Sequence, residues 1–374
     1  MAVIGAGVVG CAVALALARR GVSVAQLEAE AEPALAASGT NSGILHTGFD
    51  STPGELETEL MLASNVLREP LLRALAIPVL RCGAVMRPLD ESQHGAVAAI
   101  ATMARRNGVS VAERDDGAIE LPGEAVTDPV AYTLALAAEA ARHGAELHTG
   151  ARVDSIEQEA AGLTVGSASG VVVRCRLAVN CAGLEADSVS RLAGDESFSI
   201  YPRKGEFLVF EPPAGERLER ILLAVPTKRT KGVLVFPTID GKFVAGPTAV
   251  DLEDKRDWSV RPSARDEIVS KAAALYPPVA DAEPVFAYAG LRPAGRGVNY
   301  VIGPARTCPR LVHVAAIRST GLSASHGIAE RVADIVGSLG VQLRPEAALK
   351  GGPTPHGSGP WWRRTAEYRA EVTA

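Results

Sequence analysis

The sequence lacks the features that mark membrane-spanning, nucleic-acid-binding and disulfide-stabilised proteins. Its 374 residues contain no run of about 18 uninterrupted apolar side chains, so no transmembrane helix is predicted. A formal net charge of −5 provides no basic surface for nucleic acid. The five cysteines are dispersed without C-x-x-C spacing, which argues against a disulfide framework or zinc site and favours reduced thiols in the cytoplasm. The seven histidines form no H-x-x-x-H pair, and we predict no bound metal.

A G-x-G-x-x-G motif occupies residues 5–10, between a short apolar run and a helix-forming segment. This strand, turn and helix context is typical of a dinucleotide-binding site. Gly5 permits a sharp turn, Gly7 leaves no Cβ where the backbone approaches a pyrophosphate, and Gly10 lets the helix pack close to the strand. The N–H groups at the start of the helix favour phosphate, so the motif predicts a bound adenine dinucleotide.

A second apolar strand, residues 22–27, ends at Glu28, which lies 18 residues beyond Gly10. A carboxylate at this distance accepts hydrogen bonds from a ribose diol and repels a 2′-phosphate. Glu28 therefore favours a dinucleotide without the extra phosphate. The motif and Glu28 alone leave NAD and FAD as alternatives.

Residues 38–48, SGTNSGILHTG, combine three glycines with small hydroxyls and an amide, which predicts a loop that lies close to a flat polar ligand. The loop resembles the N-S-G-x-x-H-x-G segment of flavoproteins related to L-2-hydroxyglutarate oxidase and FAD-dependent glycerol-3-phosphate dehydrogenase. These belong to the D-amino-acid-oxidase-like superfamily. The resemblance covers about residues 1–340, and its motifs occur in the family's order.

Two further segments carry this resemblance. Residues 180–184 resemble the second FAD-contacting turn of the superfamily, and residues 318–325 precede a helix whose N-terminus faces the flavin in this family. Two such turns at opposite ends of the chain favour FAD over NAD. No cysteine occupies residues 291–293, the region where relatives form a covalent flavin bond, so the FAD is expected to be non-covalent. The predicted FAD contacts are Gly5, Gly7, Val8, Val9, Gly10, Glu28, Ser38, Thr40, Asn41, Ser42, Gly43, Val153, Cys181, Ala182, Gly183, Arg318, Gly321, Leu322 and Ser323.

The resemblance and the residue patterns together predict an α/β fold with a Rossmann-like FAD/NAD(P)-binding domain and an α+β substrate domain built on a mostly antiparallel sheet. The predicted FAD-binding domain is discontinuous, with residues 1–78, 145–199 and 290–340. The substrate domain takes part of 79–144 and all of 200–289. Asp128 and Pro129 predict a helix N-cap and first turn, and Pro70 predicts a break in a helix over residues 55–77.

Residues 341–374 are expected to form a flexible tail. Residues 350–360, KGGPTPHGSGP, consist of turn-forming residues and predict a linker. The following Trp361-Trp362-Arg363-Arg364 leaves several roles open: a poorly ordered extension, a short helix on the body of the protein, or contact with a partner or a membrane surface.

Four residues are candidates for substrate chemistry. An imidazole side chain ordinarily titrates near working pH, so His46 is the first candidate for the substrate proton, although a lone loop histidine is as often structural. The guanidinium of Arg292 can hold a carboxylate or phosphate with two hydrogen bonds. Lys204 offers a second cation, or protects a strand edge. Thr320 can contact flavin or substrate, and Arg318 can either stabilise charge on the reduced flavin or brace the helix terminus.

The resemblance implies an FAD-dependent oxidoreductase that oxidises a small anionic 2-hydroxy acid or a glycerol-phosphate-like substrate by hydride transfer to flavin N5. An amine or amino-acid oxidase on the same fold is one alternative, and an accessory flavoprotein that delivers electrons to a partner is another. The electron acceptor stays open among oxygen, a quinone and a protein.

Overall fold

The computed structural model describes residues 1–214, 216–226, 232–353 and 359–373. Part of the predicted linker, residues 354–358, lies outside the described residues. Within the described ranges, no helix has the length and hydropathy needed to cross a membrane.

Two kinds of regular structure make up these ranges. The strands in chain order are β1 Ala2–Ile4, β2 Ala25–Leu27, β3 Ile44–Leu45, β4 Val79–Leu80, β5 Ala84–Met86, β6 Ala112–Glu113, β7 Ile119–Leu121, β8 Ala125–Thr127, β9 Glu146–His148, β10 Val153–Gln158, β11 Leu163–Ser167, β12 Val172–Cys175, β13 Ala178–Asn180, β14 Ile200–Phe210, β15 Ile221–Leu223, β16 Leu234–Pro237, β17 Phe243–Gly246, β18 Val250–Asp251, β19 Pro284–Gly295, β20 Val301–Pro304 and β21 Leu311–Ala315. The α-helices are α1 Val8–Arg19, α2 Leu56–Ala74, α3 His94–Arg106, α4 Pro129–Arg142, α5 Ala186–Leu192, α6 Ala264–Ala272, α7 Gly321–Ser338 and α8 Trp361–Thr373.

A six-stranded sheet holds the first glycine motif. Its order is β20-β21-β13-β1-β2-β9, and all neighbours are parallel except β20, which is antiparallel to β21. Helices α1, α4 and α7 pack against one another beside this sheet through a buried apolar cluster. Strands β1, β2, β13 and β21 all point their carboxyl ends at the same edge, where ligands bind in open α/β sheets.

A larger, mostly antiparallel sheet forms the other half, in the order β18-β14-β17-β16-β15-β5-β7-β6, with β19 paired to β14. The β14 and β19 pairing runs from Ile200 opposite Gly295 to Phe210 opposite Pro284. Two small three-stranded sheets, β10-β11-β12 and β3-β8-β4, complete the architecture. The predicted α/β fold with a second, mostly antiparallel sheet is confirmed.

Local signals predicted some elements well and others poorly. The carboxylate of Asp128 accepts hydrogen bonds from the N–H groups of Val130 and Ala131, as expected of an N-cap. The predicted break at Pro70 is wrong, because α2 continues through it. Pro70 lies on the exposed side of α2 together with Val66, so the carbonyl that loses its helical N–H partner faces solvent. Residues 79–88 contain two short strands, β4 and β5, which belong to different sheets.

The end of the chain differs from the expected flexible tail. Residues 361–373 form helix α8, and Trp361 and Trp362 are only 3% and 4% exposed. Their rings lie 5.8 Å from the ring of Tyr288 and 5.3 Å from that of Phe286, respectively. These tryptophans are therefore covered by the chain itself and are not available to a membrane surface. The predicted domain boundary at residue 290 falls inside β19, a continuous strand of the antiparallel sheet.

Candidate active site and cofactor cleft

A cleft of about 680 Å³ lies at the carboxyl edge of the parallel sheet and is lined by residues from both halves of the chain. Its volume falls within the roughly 300–1,000 Å³ typical of small-molecule and cofactor sites. Helices α1 and α7 both begin at its wall. Among the described residues, no group of three or more His, Cys, Asp or Glu side chains is arranged to hold a metal ion.

The glycine turn at the start of α1 requires two of its glycines for steric reasons. Gly5 has a φ of +104°, and a Cβ there would lie 2.5 Å from the carbonyl oxygen of Cys181. A Cβ on Gly10 would lie 2.1 Å from the carbonyl oxygen of Gly5. Both neighbours are backbone atoms, which cannot move aside as a flexible side chain does. The turn therefore brings the first helix against the strand ends as closely as its backbone allows.

Two polar side chains fix the shape of this turn. The Oγ of Ser38 accepts a hydrogen bond of 2.9 Å from the N–H of Val8, in the first turn of α1. The carboxylate of Glu28 accepts from the N–H of Ala6 at 2.5 Å and from the N–H of Glu30 at 3.0 Å. Burial raises the pKa of the Glu28 carboxyl, and these two backbone bonds partly offset the effect. Glu28 and Ser38 both line the cleft, so the groups that hold the turn also face the ligand space.

The start of α7 is held by a polar network. Thr320 is buried, and its hydroxyl donates to the carboxylate of Glu57 at 2.8 Å and pairs with the hydroxyl of Tyr300 at 2.7 Å. Asn299 and Arg318 contact the other oxygen of Glu57, at 2.8 and 3.3 Å. The Thr320 hydroxyl is thus occupied inside the protein and does not line the cleft, whereas Arg318 does. This placement favours a bracing role for Thr320 over contact with flavin or substrate.

His46 is joined to the start of α7 and to a buried carboxylate. Its N–H donates to the Oγ of Ser323 at 2.9 Å, and its Nδ1 lies 2.8 Å from Oε2 of Glu124. The other Glu124 oxygen accepts from the N–H and hydroxyl of Thr47, at 2.6 and 2.7 Å. A carboxylate only accepts, so Nδ1 of His46 carries a proton, and Nε2 is the ring atom not engaged by Glu124.

Arg292 lies on β19, and Gly205 on the paired strand β14 leaves room for its guanidinium. A Cβ on Gly205 would meet the Arg292 guanidinium at 2.2 Å. Among the described residues, the guanidinium has one hydrogen bond, at 3.5 Å to the carbonyl of Thr248, and no carboxylate partner. Burial lowers its pKa to about 10, with the neighbouring charge of Arg203 acting in the same direction, so Arg292 stays a cation at neutral pH. The next residue, Pro293, lines the cleft.

Lys204 does not provide the expected second cation. Its side chain is 1% exposed, and its ammonium bonds the carboxylate of Asp257 at 2.7 Å and the carbonyl of Ser259 at 2.9 Å. The ion pair holds the pKa of Asp257 below its usual range, against the effect of burial. The Lys204 ammonium is therefore paired within the antiparallel half, and Lys204 is not available as a substrate contact.

The cleft brings together most of the residues predicted to contact FAD, although their roles stay predictions. Those that line it are Gly5, Gly7, Val8, Val9, Gly10, Glu28, Ser38, Asn41, Val153, Cys181, Ala182, Gly183, Arg318, Gly321 and Leu322. The remaining four, Thr40, Ser42, Gly43 and Ser323, do not line it. Thr40 and Ser42 instead bond nearby backbone groups, and Gly43 has a φ of +76° in the turn before β3.

Sequence reasoning missed several groups around the cleft. Glu57 and Glu124 act on residues far away in the chain, and no local pattern marks them. Trp258 and Arg369 also line the cleft, the first from the connection after β18 and the second from α8. The only sequence signal for Arg369 was the tryptophan pair that begins its helix.

Comparison with known proteins gives a consistent result. Residues 1–335 match the family model described as "FAD dependent oxidoreductase". A glycerol 3-phosphate dehydrogenase of Caloramator mitchellensis is 27% identical over 359 residues, 92% of this chain and 75% of that protein. The mitochondrial L-2-hydroxyglutarate dehydrogenase of Mus musculus is 28% identical over 284 residues, 68% of this chain and 61% of that protein. The solved L-alpha-glycerophosphate oxidase of Mycoplasma pneumoniae, with FAD bound, superposes with a TM-score of 0.87 at 22% identity, covering 95% of this chain and 98% of that one.

Proposed function

Because the chain belongs to the family of FAD-dependent oxidoreductases, we propose that it oxidises the alcohol carbon of a small anionic substrate. The substrate class is a 2-hydroxy acid or a glycerol-phosphate-like compound, in line with the names of its relatives. The family match confirms the predicted resemblance, the predicted enzyme class and FAD as the cofactor.

The cleft fits FAD on its own geometry. Gly5 and Gly10 leave no room for a Cβ, so the turn offers bare backbone, and two helix N-termini open at the same space. Glu28 lies where a ribose diol is expected. When bound, FAD supplies a hydride acceptor at N5. The chain's own residues must then bind the anion, orient the donor carbon and take the proton from the hydroxyl.

The observation that carries the substrate class is the half-buried guanidinium of Arg292, which no described carboxylate pairs with. A partly buried cation without a carboxylate partner costs free energy that a bound anion recovers. Its neighbour Arg203 already pairs with Asp251, at 2.7 Å, and so leaves Arg292 as the cation for a ligand. A carboxylate or phosphate fits the guanidinium with two parallel hydrogen bonds.

His46 is the proposed proton acceptor. Glu124 holds the Nδ1 proton, so Nε2 has a lone pair for the substrate hydroxyl. The backbone beside Arg292 and the backbone of His46 both bond to the start of α7: the N–H of Arg318 donates to the carbonyl of Pro293 at 3.1 Å, and the N–H of His46 donates to the Oγ of Ser323. This shared anchor supports a site in which one residue holds the anion and the other takes the proton.

The proposal is tested by anaerobic reduction of the bound flavin, followed as bleaching near roughly 450 nm. The panel contains glycerol 3-phosphate, L-2-hydroxyglutarate, other 2-hydroxy acids and amino acids. Bleaching by an anionic hydroxy compound supports the proposal. Bleaching by amines or amino acids alone overturns it in favour of an amine oxidase.

Arg292→Ala tests the anion contact with the best substrate of that panel. Loss of a charge-assisted pair predicts a rise in the half-saturating concentration of about 10- to 100-fold. Arg296→Ala is the matched control, because Arg296 lies just beyond the same strand in an exposed pair with Glu253. Equal saturation curves for both variants contradict the role of Arg292.

The free thiols support a cytoplasmic location. All five cysteines are unpaired, and burial raises the pKa of the Cys11 thiol to about 12. Protonated, buried thiols suit a reducing environment. This supports a cytoplasmic location as part of the same proposal.

A further inference from the structure

Helix α8 lies beyond the residues that match the family, which end at 335, yet it packs on the wall of the cofactor cleft. The hydroxyl of Thr365 donates to the carbonyl of Ala34 at 3.0 Å, and the hydroxyl of Tyr368 donates to Glu30 at 2.8 Å. A Cβ on Gly39 would lie 2.0 Å from the Thr365 hydroxyl. The helix thus lies directly against residues 30–39.

Residues 28–38 form the wall that carries the two polar groups of the first turn. Glu28 and Ser38 stand at its ends, and Ala36 and Ala37 line the cleft between them. This wall has no strand or helix of its own, since β2 ends at Leu27 and the next strand begins at Ile44. Its position therefore depends on the elements packed behind it.

Arg369 joins this wall to the antiparallel half of the protein. Its Nε donates to the carbonyl of Leu35 at 2.6 Å, and its guanidinium pairs with the carboxylate of Glu30 at 3.0 Å. The same guanidinium lies 4.9 Å from the centre of the Trp258 ring, in cation–π range. Arg369, Val372 and Trp258 all line the cleft.

The start of the helix is anchored independently of the cleft. Trp361 and Trp362 are buried among apolar side chains of the antiparallel half, and Nε1 of Trp362 donates to the carboxylate of Asp240 at 3.2 Å. The anchored end fixes the helix, and its last two turns reach the cleft.

We propose that α8 is part of the FAD site and retains the cofactor by closing the cleft at the Glu28 end through the contact of Arg369 with Trp258. The helix holds the wall of residues 28–38 in place and joins it to the opposite wall. Release of FAD then requires the Arg369 and Trp258 contact to open. This role concerns the cofactor and does not depend on which substrate is oxidised.

The experiment compares the purified holoenzyme with Arg369→Ala, Trp258→Leu and Arg363→Ala. Arg363 is the matched control: it lies on the same helix, contacts the rings of Phe286 and Trp362, and does not line the cleft. Two substrate-free quantities are measured: the rate of flavin release after dilution, from the recovery of free-flavin fluorescence, and the increase in Tm that added FAD gives to the apoprotein.

Arg369→Ala and Trp258→Leu are expected to release FAD about tenfold faster or more, which corresponds to the loss of one charge-assisted contact. Both should show a smaller FAD-induced rise in Tm, while Arg363→Ala matches the wild type. If Arg369→Ala alone fails to fold, Trp258→Leu still decides the question. Release rates and Tm increments equal to those of Arg363→Ala overturn the proposal, even if the Tm of the apoprotein falls.

Discussion

Helices α1 and α7 begin at the same cleft, but different groups hold their first turns. At α1 the turn is shaped by the absence of side chains, at Gly5 and Gly10, and Ser38 and Glu28 bond its backbone N–H groups. At α7 the turn is surrounded by polar side chains, among them the buried Thr320 and the half-buried His46, with their carboxylate partners. In the proposed FAD site, the turn at α1 faces the phosphates of the cofactor. The turn at α7 lies beside the residues proposed for chemistry.

The first turns of α1 and α7 also differ in the kinds of substitution that they tolerate. A glycine turn has no side chain of its own to misplace, but it tolerates no added Cβ. A network of buried polar groups tolerates small shape changes, but each member must keep its proton and its partner. Substitutions in the first turns of α1 and α7 should therefore impair the protein in different ways.

The largest effect is expected for Gly10→Ala, in the first turn of α1. The new Cβ would overlap the carbonyl oxygen of Gly5, so we expect destabilisation of about 3 kcal/mol and loss of FAD binding. Gly95→Ala is the control, because a Cβ at this helical position meets nothing within 4 Å and is expected to be neutral or stabilising. Denaturant unfolding and FAD titration of both variants measure this. Equal unfolding free energies would show that the turn can relax.

Beside the first turn of α7, Glu124→Gln tests the hydrogen bond between Glu124 and His46 with almost no change of side-chain shape. The amide would donate to Nδ1 of His46, moving the ring proton to Nε2 and removing the proposed acceptor. We expect the limiting rate of flavin reduction to fall by about 10- to 100-fold, with a smaller change in half-saturation. Glu120→Gln, in an exposed pair with Arg114, is the control. An unchanged limiting rate would reduce His46 to a structural group.

The smallest expected effect is the contribution of His326, on α7, to the pH dependence of the free energy of unfolding. Burial, reinforced by the charges of Arg68 and Arg19, lowers the pKa of His326 on α7 from 6.5 to about 3. The unfolded chain binds this proton below pH 6.5 and the folded chain does not, so stability falls as pH decreases through that range. The loss is about 1 kcal/mol over the first pH unit below 6.5. His326→Gln keeps a partner for Tyr132 and should flatten the slope in urea unfolding at several pH values. A slope identical to that of the wild type would assign the acid sensitivity elsewhere.

The parallel half could be predicted from the sequence because the motifs that specify it are local. The glycines of the first turn, Glu28 and the Asp128-Pro129 cap each act within a few residues or at a fixed spacing. The antiparallel half depends on pairing across long separations. Lys204 and Arg292 are both basic residues on adjacent strands, and only the fold shows that Asp257 neutralises the first while no described carboxylate meets the second.

Two other misses have the same physical origin. Glu124 reaches His46 across 78 residues, so no pattern near either residue predicts the contact. The apolar Trp361-Trp362 pair is compatible with contact to a membrane, to a partner or to the protein core, so its sequence alone does not predict which. The structure identifies the core, because the two rings pack against Phe286 and Tyr288.

The order of strands in the parallel sheet has a consequence for biosynthesis. Strand β1 lies between β2 and β13, and β13 lies between β1 and β21, whose residues are 311–315. The ribosome must therefore deliver most of the chain before the edge that binds the cofactor is complete, and folding depends on contacts of long sequence separation. The first glycine turn, at residues 5–10, therefore has its complete sheet edge only after residues 311–315 have been synthesised. A chain that terminates before residue 311 would lack β21 and is therefore expected to lack a complete FAD site.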